Sequence, residues 1–182
     1  MITSLVTKAD LDEYKYISDS VKNHATWPQF VNEAQLLDVK NWLTDALLFE
    51  IIGQAETLPP TISVANQKLL DGGTYVYNTK TYHFQGLKAA ITYYAFARFT
   101  NRTSFNYTQA GIVVKDSDFS TPVTDKVMQR LETEARLTAD AIKCEIILYL
   151  NRNYDLYPLW GDKACGCGGR CSDNRPFIVL GE

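Results

Sequence analysis

The chain has 182 residues, 46% of them hydrophobic and 21% charged, enough to bury one sizeable core in a single domain with at most a small appendage. Eighteen Lys and Arg against 21 Asp and Glu leave a formal net charge of −3, so no global basic field exists to gather nucleic-acid phosphates. No run of about 18 apolar residues occurs and the first residues carry no basic segment followed by an apolar run, so neither a membrane span nor an export signal is expected.

Thr7 precedes "KADLDEY", a side-chain cap followed by acidic residues, which predicts a helix to about Val21 with Leu11, Tyr14 and Ile17 on its apolar face. In "NHATWPQ", Pro28 favours an extended Trp27. The stretch 30–52 has apolar residues at helical spacing, Phe30, Ala34, Leu37, Leu43, Leu47 and Ile51 among them, and predicts one helix of six turns ending near Gly53. Pro59 and Pro60 then stop any helix, and 54–73 is expected to be a long loop.

The texture changes at "DGGTYVYNTKTYHF", where aromatic and β-branched residues flank Asn78-Thr79; this predicts a hairpin of 74–77 against 80–83. Helical spacing returns over 84–100, through Leu87, Ala90, Ile91, Tyr94, Ala95 and Phe99. Residues 101–120 form a linking stretch with one short extended piece at Ile112 to Val114. Thr121-Pro122 has the form of a cap followed by proline in the first turn, opening roughly 30 residues, about 45 Å of helix, without Gly or Pro. Its charged first half should be half solvated and its apolar second half, "AIKCEIILYL", should enter the core. The expected architecture is therefore mainly α: a helical bundle with a long C-terminal helix, a small β-hairpin and extended loops and tail, divided into a body over 1–160 and a Cys/Gly-rich tail over 161–182.

Candidate chemistry is sparse. Cys165, Cys167 and Cys171 crowd into a glycine-rich loop, but C-x-C and C-x3-C are not zinc spacings, and a fourth ligand would have to come from Cys144, His24 or His83. Free thiols in a contact loop are the simpler reading, so no metal and no cofactor is expected. "GCGGRC" lacks the Lys-Ser/Thr of a phosphate loop. His83 has no nearby nucleophile, and Glu132, Glu134 and Asp140 sit on a helix rich in compensating charge, which reads as a solvated face. No catalytic residues are assigned and an enzyme is not expected. Aromatic residues are more informative: Tyr75, Tyr77, Tyr82, Tyr154, Tyr157 and Trp160 join apolar bodies to polar tips, which suits protein interfaces.

The serial order of "TKADLDEYKYIS", "FVNEAQLLDVKNWLTDALLFEII", "LLDGGTYVYNTKTYHFQGLKAAITYYAFARF", "GIVVKDSDFSTPV" and "YLNRNYDLYPLW" resembles the head-tail connector, or adaptor, ring proteins of tailed phages of Bacteroidetes hosts, crAss-like phages included. The resemblance runs to about Trp160 and does not reach the cysteine loop. It implies a structural virion protein of the phage neck, made in the bacterial cytoplasm: a homo-oligomeric, dodecameric ring beneath the portal protein, contacting neighbouring neck or tail proteins, with packaged DNA passing through without sequence readout and no membrane contact. Two other classes remain open on the residues alone, a cysteine-dependent metal or redox module and a small host-directed binding protein.

Overall fold

A computed structural model describes residues 3–15, 27–102, 105–108, 111–114 and 124–160. The fold is mainly α, with six α-helices and two two-stranded sheets among the described residues. In chain order, α1 is Lys8–Tyr14, α2 Trp27–Glu33, α3 Asp45–Glu56 and α4 Val64–Asp71; β1 is Gly73–Tyr77 and β2 Lys80–Phe84; α5 is Leu87–Arg102, β3 Phe105–Thr108, β4 Gly111–Val114 and α6 Asp125–Arg152.

Thr7 caps α1 as its sequence position predicts. Its hydroxyl accepts from the Asp10 amide while the Asp10 carboxylate accepts from the Thr7 amide, a reciprocal box that satisfies two otherwise orphaned donors. The helix is shorter than expected, because Lys15 turns extended (φ −150°, ψ 121°) and ends it at Tyr14. Residues 16–21 of the expected helix lie outside the described residues. The segment before α1 is held by an unusual clamp: the buried Gln35 amide accepts from the Leu5 N–H (2.7 Å) and donates to the Thr3 carbonyl (3.2 Å), which draws Leu5 and Val6 into the core.

The expected six-turn helix over 30–52 is two helices. Trp27 is helical, not extended, since Pro28 falls within the first turn of α2, where its missing N–H costs no intrahelical bond. After α2 the backbone widens into a π-helical turn, Ala34–Asp38, tightens into a 3-10 turn, Val39–Asn41, and breaks. Thr44 is the reason for the restart: extended at φ −67°, ψ 143°, it accepts from the Leu47 N–H at 3.3 Å and caps α3, with Asp45 favourably placed in the first turn. Helix α3 then runs past Gly53 to Glu56.

The expected loop 54–73 contains α4, capped by the Ser63 hydroxyl on the Asn66 amide. Hairpin β1–β2 has the expected two-residue turn, with Tyr77 opposite Lys80 and both Asn78 (φ 49°) and Thr79 (φ 66°) left-handed, which matches the right-handed strand twist. The chain enters and leaves this hairpin through Gly72 (φ 81°) and Gly86 (φ 84°), packed so tightly that a Cβ on Gly86 would lie 2.6 Å from the Leu70 carbonyl oxygen. The expected extended piece at Ile112 to Val114 is strand β4, which pairs with an unexpected strand β3 in a second hairpin, with Phe105 opposite Val114 and Thr108 opposite Gly111.

Helices α5 and α6 form the spine and run antiparallel, as the Tyr94 to Asp140 hydrogen bond and the stacking of Phe84, just ahead of α5, on Tyr149 near the end of α6 require. The small residues Ala89, Ala90, Ala95 and Ala97 are fully buried along α5 and allow close approach, while α6 contributes Ala135, Ala139, Ile142, Ile146 and Leu150. The buried Thr92 and Thr100 hydroxyls are satisfied by bonding back to the carbonyls four residues earlier. The division of the long helix is as expected: 124–134 is almost wholly exposed and the later turns enter the core. Its cap is Thr124, and Thr121-Pro122 lie outside the described residues.

Candidate functional site

The widened turn at 34–38 aims Asp38 at the spine. Arg98 on α5 grips it bidentately, Nε to Oδ2 at 2.6 Å and Nη2 to Oδ1 at 3.0 Å, and reaches Glu33 at 3.5 Å. Arg136 on α6 approaches the same carboxylate at 3.6 Å and Arg102 pairs with Glu33 at 2.8 Å. The Asp38 hydrogen bond and charge hold the Arg98 guanidinium even more firmly protonated than usual. This network ties the irregular segment, α5 and α6 into one unit, and bidentate geometry makes it directional. On the same side, Tyr94 donates to Asp140 at 2.7 Å, and burial followed by that carboxylate pushes the phenol far up.

A second network sits at the start of α5. Lys88 lies 3.0 Å from Asp10 and 2.7 Å from Asp71, joining α1 and α4 to the spine. Burial alone would raise the Asp10 carboxyl, but hydrogen bonds from Thr7 and the Lys88 ammonium outweigh it and hold the carboxyl below its usual value. Burial likewise opposes the charge on Lys88, and its bonds to Asp71 and Asp10 more than compensate, raising it.

At the other end of α6, aromatic rings organise the hairpin. Tyr75, Tyr82 and Phe84 share the inward face by strand alternation, while Val76, Thr81 and His83 point out. Arg152 donates to the Tyr75 hydroxyl at 3.0 Å and its guanidinium lies over Tyr82 (4.2 Å) and Tyr77 (4.9 Å). Tyr149 and Tyr157 share a hydrogen bond of 3.0 Å, and Tyr157 donates on to the Ala65 carbonyl at 2.6 Å. The Trp160 indole donates to Asn151 at 2.8 Å, and the Thr44 hydroxyl donates to the Leu159 carbonyl at 2.7 Å, which locks the end of the body onto the cap of α3.

These contacts divide the aromatic residues singled out from sequence. Tyr75, Tyr157 and Trp160 are buried within the subunit and Tyr82 is half-buried, so their rings build the body rather than an outer contact; Tyr77 and Tyr154 keep exposed surface. The reason is the length of α6: its last turns project Tyr149 and Arg152 under the hairpin and the closing segment, and aromatic rings fill that space. His83 is exposed on the outer hairpin face. Glu132 pairs with Arg136 at 3.0 Å and Glu134 is exposed, whereas Asp140, beyond the solvated role expected of it, anchors Tyr94. Cys144 is half-buried on α6; Cys165, Cys167, Cys171 and His24 lie outside the described residues. Among the described residues no cluster of His, Cys, Asp and Glu has the makings of a metal site, and no helix is long and apolar enough to cross a membrane.

Exposed apolar side chains also lie elsewhere. Leu58 is 94% and Val64 89% exposed at the α3–α4 connection, Val76 68% on the outer hairpin face and Leu137 65% on the outer face of α6. Along that face Lys126, Arg130, Thr133, Leu137 and Ala141 line a shallow open groove of about 840 Å³. From sequence the α3–α4 connection falls in the loop 54–73, expected to order on assembly and contact a neighbouring copy, whereas the outer α6 face is passed over as a charged helix face.

The arrangement defines a helical body held together by internal ion pairs and hydrogen bonds, with apolar side chains displayed at its edges. The chain belongs to a protein family described as a family of unknown function (DUF6712), which it matches over residues 34–170. No curated protein and no solved structure matches it.

Proposed function

We propose that this chain is a structural subunit of a ring in the neck of a tailed phage, joining the portal to the next neck or tail component and keeping the DNA channel continuous. The reading rests on the serial resemblance of its motifs to head-tail connector proteins. It is supported by one structural observation above others: the internal ion pairs and hydrogen bonds stiffen the body, while Leu58, Val64 and Leu137 stand in solvent on regular or proline-stiffened elements. Such a subunit loses little conformational entropy on assembly, and its exposed apolar side chains gain burial only against a neighbour. Heterologous contacts of this kind close into rings when the rotation between copies permits. A slightly acidic subunit, net charge −3, lets DNA pass without adhering. No catalytic step is assigned to the chain in this role.

Native mass spectrometry of the purified full chain, alone and mixed with the portal protein of the same genome, tests the reading. Rings or portal-bound assemblies are the expected species. A monomer indifferent to the portal, or one carrying stoichiometric metal, overturns it.

A further inference from the structure

Resting on the ring reading, a specific contact between copies follows from two features that one chain cannot bring together. The first is the connection 57–64. Its backbone is held by its own side chains: the Thr57 hydroxyl donates to the Gln54 carbonyl (2.8 Å) and accepts from the Thr61 amide (2.8 Å), Thr61 donates to the Pro59 carbonyl (3.1 Å), and the Ser63 amide donates to Gln54 Oε1 (3.0 Å). On this fixed support Leu58 and Val64 are almost entirely in solvent, and two residues before Leu58 in the chain stands the exposed Glu56, one of whose carboxylate oxygens accepts from the Thr3 amide (3.2 Å). No Lys or Arg occurs between residues 54 and 64.

The second feature is the outer face of α6. Leu137 and Ala141 form its apolar end and Lys126 and Arg130 its cationic end, two cations against the single carboxylate, Glu134, that also lines it. Arg130 and Leu137 are seven residues apart, about 10 Å of helix, a span that extended arginine and glutamate side chains cover when Leu58 rests against Leu137. Within one chain the two features are far apart. Val64 adjoins Ala65, whose carbonyl is bonded to Tyr157 beyond the end of α6, and the eleven residues from Ala141 to Arg152 add about 16 Å of helix between that point and the groove.

We propose that the 57–64 connection of one copy docks on the outer α6 face of the next copy, Leu58 and Val64 against Leu137 and Ala141, Glu56 against Arg130. The match is both apolar and of opposite charge, and the connection is preorganised, which lowers the ordering cost of binding. Because donor and acceptor surfaces differ, the contact is head-to-tail: each copy carries one of each, and repetition yields a closed ring or an open filament according to the angle between copies.

The test uses the full chain, with sedimentation velocity over a concentration series and circular dichroism to establish that each variant is folded. Both features are on the surface, so Leu58→Asp and Leu137→Asp are expected to keep the native spectrum while raising the concentration for half-assembly about tenfold or more. Glu56→Arg and Arg130→Glu are each expected to raise it about fivefold, and the two together to return it to within about twofold of the parent, a restoration only a direct pair produces. Parent chains that assemble while all four single variants assemble equally well, or a double variant no better than its singles, overturn this contact and leave the ring reading standing. A parent that remains monomeric both alone and with the portal protein overturns the contact and the ring reading together.

Discussion

Arg98 shows how much of this fold depends on single polar residues. Its side chain is 14% exposed and Asp38 is 12% exposed, so removing the guanidinium leaves two carboxylates, Asp38 and Glu33, facing a nearly dry interface with only Arg136 and Arg102 at its margin. Arg98→Met is expected to lower stability by about 3 kcal/mol, the scale of an uncompensated buried charge, read as a drop in urea midpoint. Adding Asp38→Asn should recover part of that loss, since the orphaned charge goes with it; equal or greater loss in the double variant would count against this account. Asp10 contributes a pH dependence on the acid side. Its carboxyl is held below 3.8 in the folded state, so its contribution is fully present above that value and is lost as pH falls through the lower folded value. Asp10→Asn, which gives up the charged partner of Thr7 and Lys88, should be less stable than the parent at pH 7, with the gap narrowing below about pH 3.8. Urea midpoints of the two chains at several pH values check it, and a gap independent of pH would refute it. Arg98 and Asp38 carried no sequence signal of their pairing. Thr7 and Asp10 were legible because a cap and its box partner lie three apart in the chain, but Arg98 and Asp38 are sixty residues apart and meet only through the tertiary fold.

At the level of elements, what was legible is what local chemistry dictates. The β1–β2 turn, α5 and the apolar half of α6 follow from strand alternation, helical spacing and an unbroken 28-residue helix. The break between α2 and α3 was hidden because apolar residues continue on both sides of it at near-helical spacing. The signal was present in Thr44-Asp45, a cap followed by an acidic first turn, and Ser63 marks α4 in the same way. Of β3–β4 only the extended piece at Ile112 to Val114 was legible; its partner strand and the pairing were missed, since four-residue strands barely establish an alternation. Two glycines test the element boundaries in opposite directions. Gly53 lies inside α3 with nothing within 4 Å of an added Cβ, so Gly53→Ala should stabilise the chain by about 0.5–1 kcal/mol. Gly86→Ala places its Cβ 2.5 Å from the Gly72 nitrogen with φ at 84°, so it should destabilise by at least about 2 kcal/mol. Thermal melts of both variants decide it: a stabilising Gly86→Ala would mean that the hairpin does not enter and leave through that crossing.

For the whole molecule the decisive question is whether the aromatic closing segment serves the fold or a neighbour. Trp160 is 2% exposed, its indole donates to Asn151, and Leu159 next to it accepts from the cap residue of α3; the segment therefore joins the end of α6 to the start of α3 across most of the sequence. Trp160→Ala should cost about 3–5 kcal/mol by cavity formation and loss of the indole hydrogen bond, and should do so in one cooperative transition, because the residue belongs to the single core that holds all the helices. An interface role for Trp160, as its composition suggests in isolation, makes the opposite forecast: an almost unchanged urea midpoint and weakened assembly. The two separate cleanly when assembly is measured at a denaturant-free, low temperature where the variant is still folded. On the packing described here the concentration for half-assembly there stays near that of the parent while the urea midpoint falls. A parent-like midpoint with impaired assembly would return Trp160 to the contact surface and would require the closing segment to open when subunits meet.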